Sequence, residues 1–269
     1  MTSIRSRQHR FIQRCRALAR GYDSLTGEIL LDGTHLVQEA LGCGLENLSV
    51  AIDTDLLHRP DVAGLVDRLA CAGANLFDAS ADAIAAASPV RTPSGIVAIA
   101  TMRLGEIDPV LRATPAMVVA PIDVQDPGNL GAMIRTAEAA GATGVVRAGQ
   151  SADPLSWKAI RGSMGSVFRL PVAAAPSLAG LLEAARALGL AVVAATPVDG
   201  RDVFDVDLTR PLLLLMGGEG GGLSPAVAAA ADLRIRIPMA PPVESLNVAV
   251  ATGIILFEAQ RQRQAARRT

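Results

Sequence analysis

Between residues 116 and 237 the chain repeats one pattern, apolar runs of strand length at 116–122, 143–147, 168–172, 190–195, 212–216 and 233–237. Most of them lack the polar alternation of a strand with one wet face. A strand that is apolar at nearly every position needs cover on both faces, as inside a parallel sheet flanked by helices. Helical patterns at 129–140, 177–188 and 224–231 fill the gaps, and a long final helix starts at about residue 246. Strand and helix in alternation predict a parallel α/β sheet. Three polar or glycine-rich segments lie just after or beside these strands: 129–135, 217–224, and 237–239 with 245–249. Their loops are expected at one end of the sheet, where together they make a site.

The first part of the chain has a smaller version of the same alternation. Short strands are predicted at 28–31, 48–52, 74–77 and 95–100, with helical stretches such as 34–41 and 61–72 between them. This reads as one α/β domain over residues 1–102. Gly105, Asp108-Pro109 and Thr114-Pro115 break the pattern, so 103–115 reads as a linker and 116–269 as the second domain. With 269 residues, 50% of them apolar, the chain can bury a core in each.

Composition removes several function classes. Cys15, Cys43 and Cys71 are odd in number and lack C-x-x-C spacing, and His9, His35 and His58 lack ligand spacing. Neither a disulfide framework nor a metal site is expected. No apolar run reaches the roughly 18 residues of a membrane helix, and the arginine-rich start lacks the apolar stretch of a signal peptide. A soluble, cytoplasmic protein is the expectation. The formal net charge of −1 hides two basic ends. Arg5, Arg7, Arg10, Arg14, Arg16 and Arg20 open the chain without an acid among them, and Arg261, Arg263, Arg267 and Arg268 close it. Such poles suit a polyanionic partner, and equally suit solvated chain ends.

Residues 217–222 follow the most apolar strand and precede Ser224-Pro225, an N-cap residue with proline at the first helical position. Glycines there let backbone N–H groups approach a ligand. A P-loop would need lysine where Leu223 stands. A dinucleotide fold would place its loop after the first strand and an acid about 20 positions on, where Ile237 stands instead. Gly162-Ser163-Met164-Gly165 approaches a hydrolase elbow, but Arg161 takes the first glycine position and no histidine lies downstream, so Ser163 reads as a packing or capping residue.

Asn129 and Arg135 share a helix entered through Asp126-Pro127-Gly128, and both can reach the crevice at the strand ends. Arg135 sits on an otherwise apolar helix face, where burial requires a carboxylate or phosphate. Glu219 could meet it in a structural ion pair, or a ligand could. Asn247 falls inside a helix predicted to start at Ser245, a poor interior position, and is expected to hydrogen-bond a ligand or a facing loop.

In this order and spacing the segments resemble the SpoU/TrmH-type RNA 2′-O-methyltransferases of the SPOUT superfamily. Asn129, Gly131 and Arg135 match the family's N-x-G-x-x-x-R. Gly217, Glu219, Gly220 and Gly222 match its glycine loop with a central glutamate, and Ile237, Met239, Ser245, Leu246 and Asn247 match its third motif. Gly218 stands where many members have asparagine. The resemblance implies a parallel sheet whose C-terminal segment is threaded into a trefoil knot, an exception to the unknotted rule. It implies S-adenosylmethionine held against backbone near Thr196, Gly217, Gly220, Ile237, Met239 and Leu246, and a homodimer with the final helix in its interface. It also implies that the first domain is a substrate-binding domain similar to kink-turn-binding ribosomal proteins, with landmarks at 31–37 and 92–97. Residues 5–20 would then lie on RNA phosphates.

The implied reaction moves the sulfonium methyl group to a ribose 2′-hydroxyl, with no metal. In it Arg135 grips the neighbouring phosphate, Asn129 and Asn247 orient Arg135 and the ribose, Glu219 fixes the arginine, and Ser245 bonds to phosphate or hydroxyl. The added first domain favours ribosomal RNA, in particular 23S rRNA, and transfer RNA is the alternative. Two rivals come from other classes: a non-catalytic RNA-binding module with the same fold, and a nucleotide-dependent oxidoreductase using the glycine loop.

Overall fold

The structure, a computed structural model, describes residues 1–268. The chain divides into two compact units, Met1–Arg103 with Leu155–Arg169, and Leu104–Pro154 with the chain from Leu170 onward.

The first unit is built from β1 (Thr2–Ile4), α1 (Arg10–Leu18), β2 (Glu28–Asp32), α2 (Thr34–Gly42), β3 (Glu46–Asp53), α3 (Pro60–Cys71), β4 (Asn75–Ala79), α4 (Ala81–Ala87) and β5 (Ile96–Thr101). Its sheet has the order β1-β4-β3-β5-β2 and is mixed, with β5 antiparallel to both neighbours. The arginine-rich start is an ordered helix here. Phe11, Ile12, Cys15 and Leu18 form its buried stripe at helical spacing, and the arginines take the outer faces. Three of the six arginines are already engaged: Arg5 by Asp78, Arg7 by Asp82, and Arg14 by Asp23 and Glu28. Arg10, Arg16 and Arg20 carry no ion pair among the described residues.

The second unit opens with α5 (Ile107–Leu111), whose Val110 and Leu111 are buried in its core, inside the stretch expected to be a linker. There follow β6 (Met117–Ile122), α6 (Pro127–Ala139) and β7 (Gly144–Arg147). The chain then contributes α7 (Trp157–Ser163) to the first unit, where the Trp157 indole donates to the Ala19 carbonyl at 2.9 Å and Arg169 pairs with Glu39. Residues 168–172, expected to be a strand, are therefore mostly the end of that excursion, and β8 spans Val172–Ala174. Buried Ser163 donates to the Ile160 carbonyl at 2.8 Å, which is a packing role.

The remaining elements are α8 (Leu178–Ala187), β9 (Ala191–Ala195), β10 (Arg201–Asp202), β11 (Leu212–Gly217), α9 (Pro225–Ala229), β12 (Leu233–Arg236) and α10 (Val248–Ala266). The sheet order is β10-β12-β9-β11-β6-β7-β8, and every pair is parallel. All six residues of β6 are buried, as are the first five of β11, which is why both read as unbroken apolar runs. These two strands are neighbours although four strands separate them in sequence, with Ile122 level with Gly217. From β6 the chain winds one way to β7 and β8, then crosses over to β9. The crevice at the carboxyl ends of β6 and β11 is thus a point where the winding reverses, the place where such sheets leave room for a ligand.

The basic C-terminus is partly used up inside this unit. Arg263 donates to the carbonyls of Ala116, Leu208 and Arg210, and Arg261 pairs with Glu258 at 2.8 Å. No helix among the described residues is long and apolar enough to cross a membrane.

Candidate active site

At the end of β11 the chain must turn within a few residues, and it does so with almost no side chains. A Cβ on Gly217 would run into the backbone of Gly222 and Leu223, and one on Gly218 into the carbonyl of Asp123. Gly220 and Gly222 take φ of +86° and +62°, the left-handed region glycine enters without cost. The Gly222 N–H closes the loop on the Gly218 carbonyl at 3.1 Å. The crowding at Gly218 gives a physical reason for the missing asparagine: Asp123, itself left-handed at φ +56°, fills the space with its backbone and anchors its carboxylate on the Gln150 N–H at 2.7 Å.

A cavity of about 480 Å³ opens beside this loop. Thr196, Gly217, Gly220, Ile237, Met239 and Leu246, the expected cofactor residues, all line it, and so do Ser245 and Asn247. The walls are largely backbone and aliphatic side chains, with Met216, Ala251 and Ile255 closing the inner side. The Thr196 hydroxyl is bonded to the carbonyls of Asp199 and Ile235, so this residue presents its backbone and methyl group rather than a free hydroxyl.

A chain of three polar side chains crosses the rim. Asn247 Nδ2 donates to Asn129 Oδ1 at 3.0 Å, and Asn129 Nδ2 donates to Glu219 Oε1 at 2.6 Å. Each is placed by its local fold. Asp126 caps α6 by accepting from the Asn129 N–H, which sets Asn129 in the first turn. Glu219 sits in the glycine loop. Asn247 is not inside a helix but is the N-cap of α10, its Oδ1 accepting from the N–H groups of Ala249 and Val250. One amide therefore starts the last helix and ties it to α6, joining segments 118 residues apart in sequence.

The anticipated pair of Arg135 with Glu219 does not form. Glu219 is taken by Asn129, and Arg135 lies exposed on α6, outside the cavity lining and without an ion pair among the described residues. The helix turns Leu130, Met133, Ile134 and Ala137 inward, and the guanidinium takes the opposite side. Sequence reasoning missed Asp123 as a neighbour of the glycine loop; its signal was only a short polar residue just past an apolar strand. Among the described residues no three His, Cys, Asp or Glu side chains gather as metal ligands would.

Comparison with known proteins gives these features a context. Residues 116–257 match the model of the SpoU rRNA methylase family. Over 99% of this chain and 96% of its own length, an uncharacterized tRNA/rRNA methyltransferase of Synechocystis is 35% identical. The 23S rRNA guanosine 2′-O-methyltransferase RlmP of Bacillus subtilis is 34% identical over 86% of this chain and 88% of its own. Among solved structures, the rRNA methyltransferase of Sinorhizobium meliloti with bound AdoMet superposes with a TM-score of 0.84 at 33% identity, covering 97% of both chains. The SpoU methyltransferase AviRb of Streptomyces viridochromogenes, also with AdoMet, gives 0.83 at 31% identity, covering 96% of this chain and 100% of that one.

Proposed function

The chain belongs to the SpoU rRNA methylase family, RNA 2′-O-ribose methyltransferases that use S-adenosylmethionine, and from this premise we propose that its substrate is 23S ribosomal RNA. RlmP, named for that RNA, matches most of this chain, including much of the first unit. The observation that carries the reading of the site is the Asn247–Asn129–Glu219 chain on the rim of a backbone-lined cavity, with an exposed arginine, free of ion pairs among the described residues, on the same helix as Asn129.

The cavity suits the cofactor. At about 480 Å³ it lies within the range of small-molecule sites, roughly 300–1,000 Å³, and its crowded glycines bring N–H groups to the surface. Gly217, Gly220, Ile237, Met239 and Leu246 would hold S-adenosylmethionine, which supplies an activated methyl group. The chain's own side chains have to hold the ribose oxygen in line, and alignment of this kind can contribute on the order of 7 kcal/mol. Arg135 is a poor base, since its guanidinium stays protonated. Exposed and without an internal carboxylate, it is available to grip the phosphate beside the target ribose in bidentate fashion. Asn129 and Asn247 orient the ribose, Glu219 holds Asn129 in place, and Ser245 bonds to the phosphate or the hydroxyl.

Two further features belong to this reading. α10 leaves Val250 and Phe257 53% and 47% exposed, with Ile254 between them, an apolar strip suited to the same helix of a second copy. After β12 the chain returns past the cavity to lay α10 against α6, the path that a knotted C-terminus would take.

The test is methyl transfer from labelled S-adenosylmethionine to 23S rRNA and to tRNA, both from a strain lacking the gene. Label in a single ribose of 23S rRNA is expected, with none in tRNA. Arg135→Ala should lower kcat by about a hundredfold or more, while calorimetry finds cofactor affinity within about twofold of wild type. Equal loss of both would remove Arg135 from the chemistry.

A further inference from the structure

A second cavity, of about 400 Å³, lies wholly within the first unit, on the face of its sheet that α1 covers only in part. Its origin is a change of polarity along the strands. On this face Leu30, Ala51, Ala79 and Val97 are buried under α1 and α4. Two residues on, the same rows reach Glu28 on β2, Ser49 on β3, Phe77 on β4 and Ile99 on β5. Ser49 lies level with Ile99, and Ile99 with Leu30. A bulge between Glu46 and Ser49, with Asn47 left-handed at φ +54°, turns one more polar side chain towards the same place. The apolar floor therefore ends in an open, polar-edged cleft rather than in a sealed core.

Rings gather at this cleft in a chain that has only five phenylalanines. Phe77 packs against Phe11 at 5.2 Å between ring centres and meets the His9 ring edge-on at 5.8 Å. His9 is the N-cap of α1, with Nδ1 accepting from the Phe11 N–H, so the neutral ring carries its proton on Nε2. The opposite wall is the Arg14–Glu28 pair. Several polar atoms here have no partner among the described residues: the Ser49 hydroxyl, Asn47 Oδ1 (its Nδ2 is given to Thr101) and the second carboxylate oxygen of Glu28. Arg10 stands exposed at the rim with no ion pair among the described residues.

Aromatic rings, acceptor atoms and an exposed guanidinium around one cleft match the three parts of a nucleotide. Unpaired RNA bases are recognised by stacking on aromatic side chains and by hydrogen bonds to their exposed edges. We propose that this cleft takes an unpaired base of the RNA substrate, guanine in preference to the other three, with Arg10 on its phosphate. Guanine fits because its Watson–Crick edge presents adjacent N–H donors, and Glu28, Asn47 and Ser49 present acceptors. The proposal rests on the RNA-methyltransferase reading above and adds to it a base-specific contact remote in sequence from the catalytic motifs. The paired arginines 5, 7 and 14 are then structural, and Arg10 is the one that meets RNA at this point.

The experiment is an NMR titration of the ¹⁵N-labelled full chain with GMP, AMP, CMP and UMP, read at the amides of Asn47, Ser49, Phe77 and Ile99. GMP is expected to move these signals at the lowest concentration. Ser49→Phe, which fills the cleft, should abolish the shifts while leaving S-adenosylmethionine binding unchanged. On RNA, the exposed-site variant Arg10→Ala and Ser49→Phe should each raise KM by at least about fivefold, the low end of what losing one stacked base costs, with kcat unchanged. Silence of the four amides with all four nucleotides overturns the site, as does equal response to all four for the guanine preference. If wild type methylates RNA but both variants keep its KM, the cleft fails and the methyltransferase reading stands. If wild type methylates no RNA, that reading fails, and the titration still decides the cleft.

Discussion

The two sheets of this molecule handle their polar residues in opposite ways. In the seven-stranded parallel sheet, β6 and β11 are apolar on both faces, so no side chain on either is free for chemistry. The polar groups of the candidate site come from beyond the strand ends, from the glycine loop, from α6 and from the start of α10. In the five-stranded mixed sheet, β2, β3 and β4 carry Glu28, Ser49 and Phe77 in partly accessible positions on one face, and the cleft lies on the sheet itself. Cover on both faces forces function to the edge; incomplete cover leaves a surface. The first site is consequently made of backbone and is intolerant of added atoms, and the second is made of side chains and should tolerate exchange.

The largest effect that follows is at Gly217. Gly217→Val puts branched carbon where the backbone of Gly222 and Leu223 already lies, and should weaken S-adenosylmethionine binding by about a hundredfold or more in calorimetry. Substitutions in the first unit, such as Ser49→Phe, should leave that binding unchanged. Cofactor binding that survives Gly217→Val would break the contrast.

A smaller and sharper effect is expected at Asn247, which combines a helix cap with the link to Asn129. Asn247→Ala loses both and should cost about 1 kcal/mol of stability in denaturant titration, as loss of an N-cap usually does. Asn247→Asp keeps the oxygen that accepts from Ala249 and Val250 but loses the donor to Asn129. It should unfold close to wild type and yet lose methyl transfer, separating support from orientation.

The smallest effect tests the side-chain-rich unit alone. The Arg14 guanidinium holds the Asp23 carboxyl down at about 2, below its ordinary 3.8. A carboxyl lowered on folding stabilises the native state above its unfolded value, and that contribution is lost as pH falls through about 2. Melting temperatures of wild type and Asp23→Asn should differ from neutral pH to about pH 4 and converge as the pH approaches 2.

Much of the second unit was legible because burial on both faces writes itself as unbroken apolar runs, and the ends of β6, β9 and β11 fall within a residue or two of expectation. The residues around the cavity were legible for a related reason: glycines and amides that must turn a chain in little space leave few alternatives. The pairing of Arg135 with Glu219 is not legible, because Asn129, fixed by the Asp126 cap, takes that carboxylate. Asn247 reads as interior to a helix that it in fact begins. α1 was hidden by its arginines, although Phe11, Ile12, Cys15 and Leu18 carried the period. Nothing in the sequence announces the cleft of the first unit, since its parts come from four strands and a helix start and meet only through register.

The excursion of Leu155–Arg169 into the first unit has a consequence for how this chain can be taken apart or could have been assembled. The covalent path passes between the two bodies three times, at 103–104, 154–155 and 169–170. A single cut cannot release either one whole. Deleting residues 1–103 would strand α7 with Ala159, Ile160 and Ser163 stripped of their cover, and expressing 1–103 alone would leave the Ala19 carbonyl without its indole. Shortening this chain to either body therefore takes changes at more than one place in the gene.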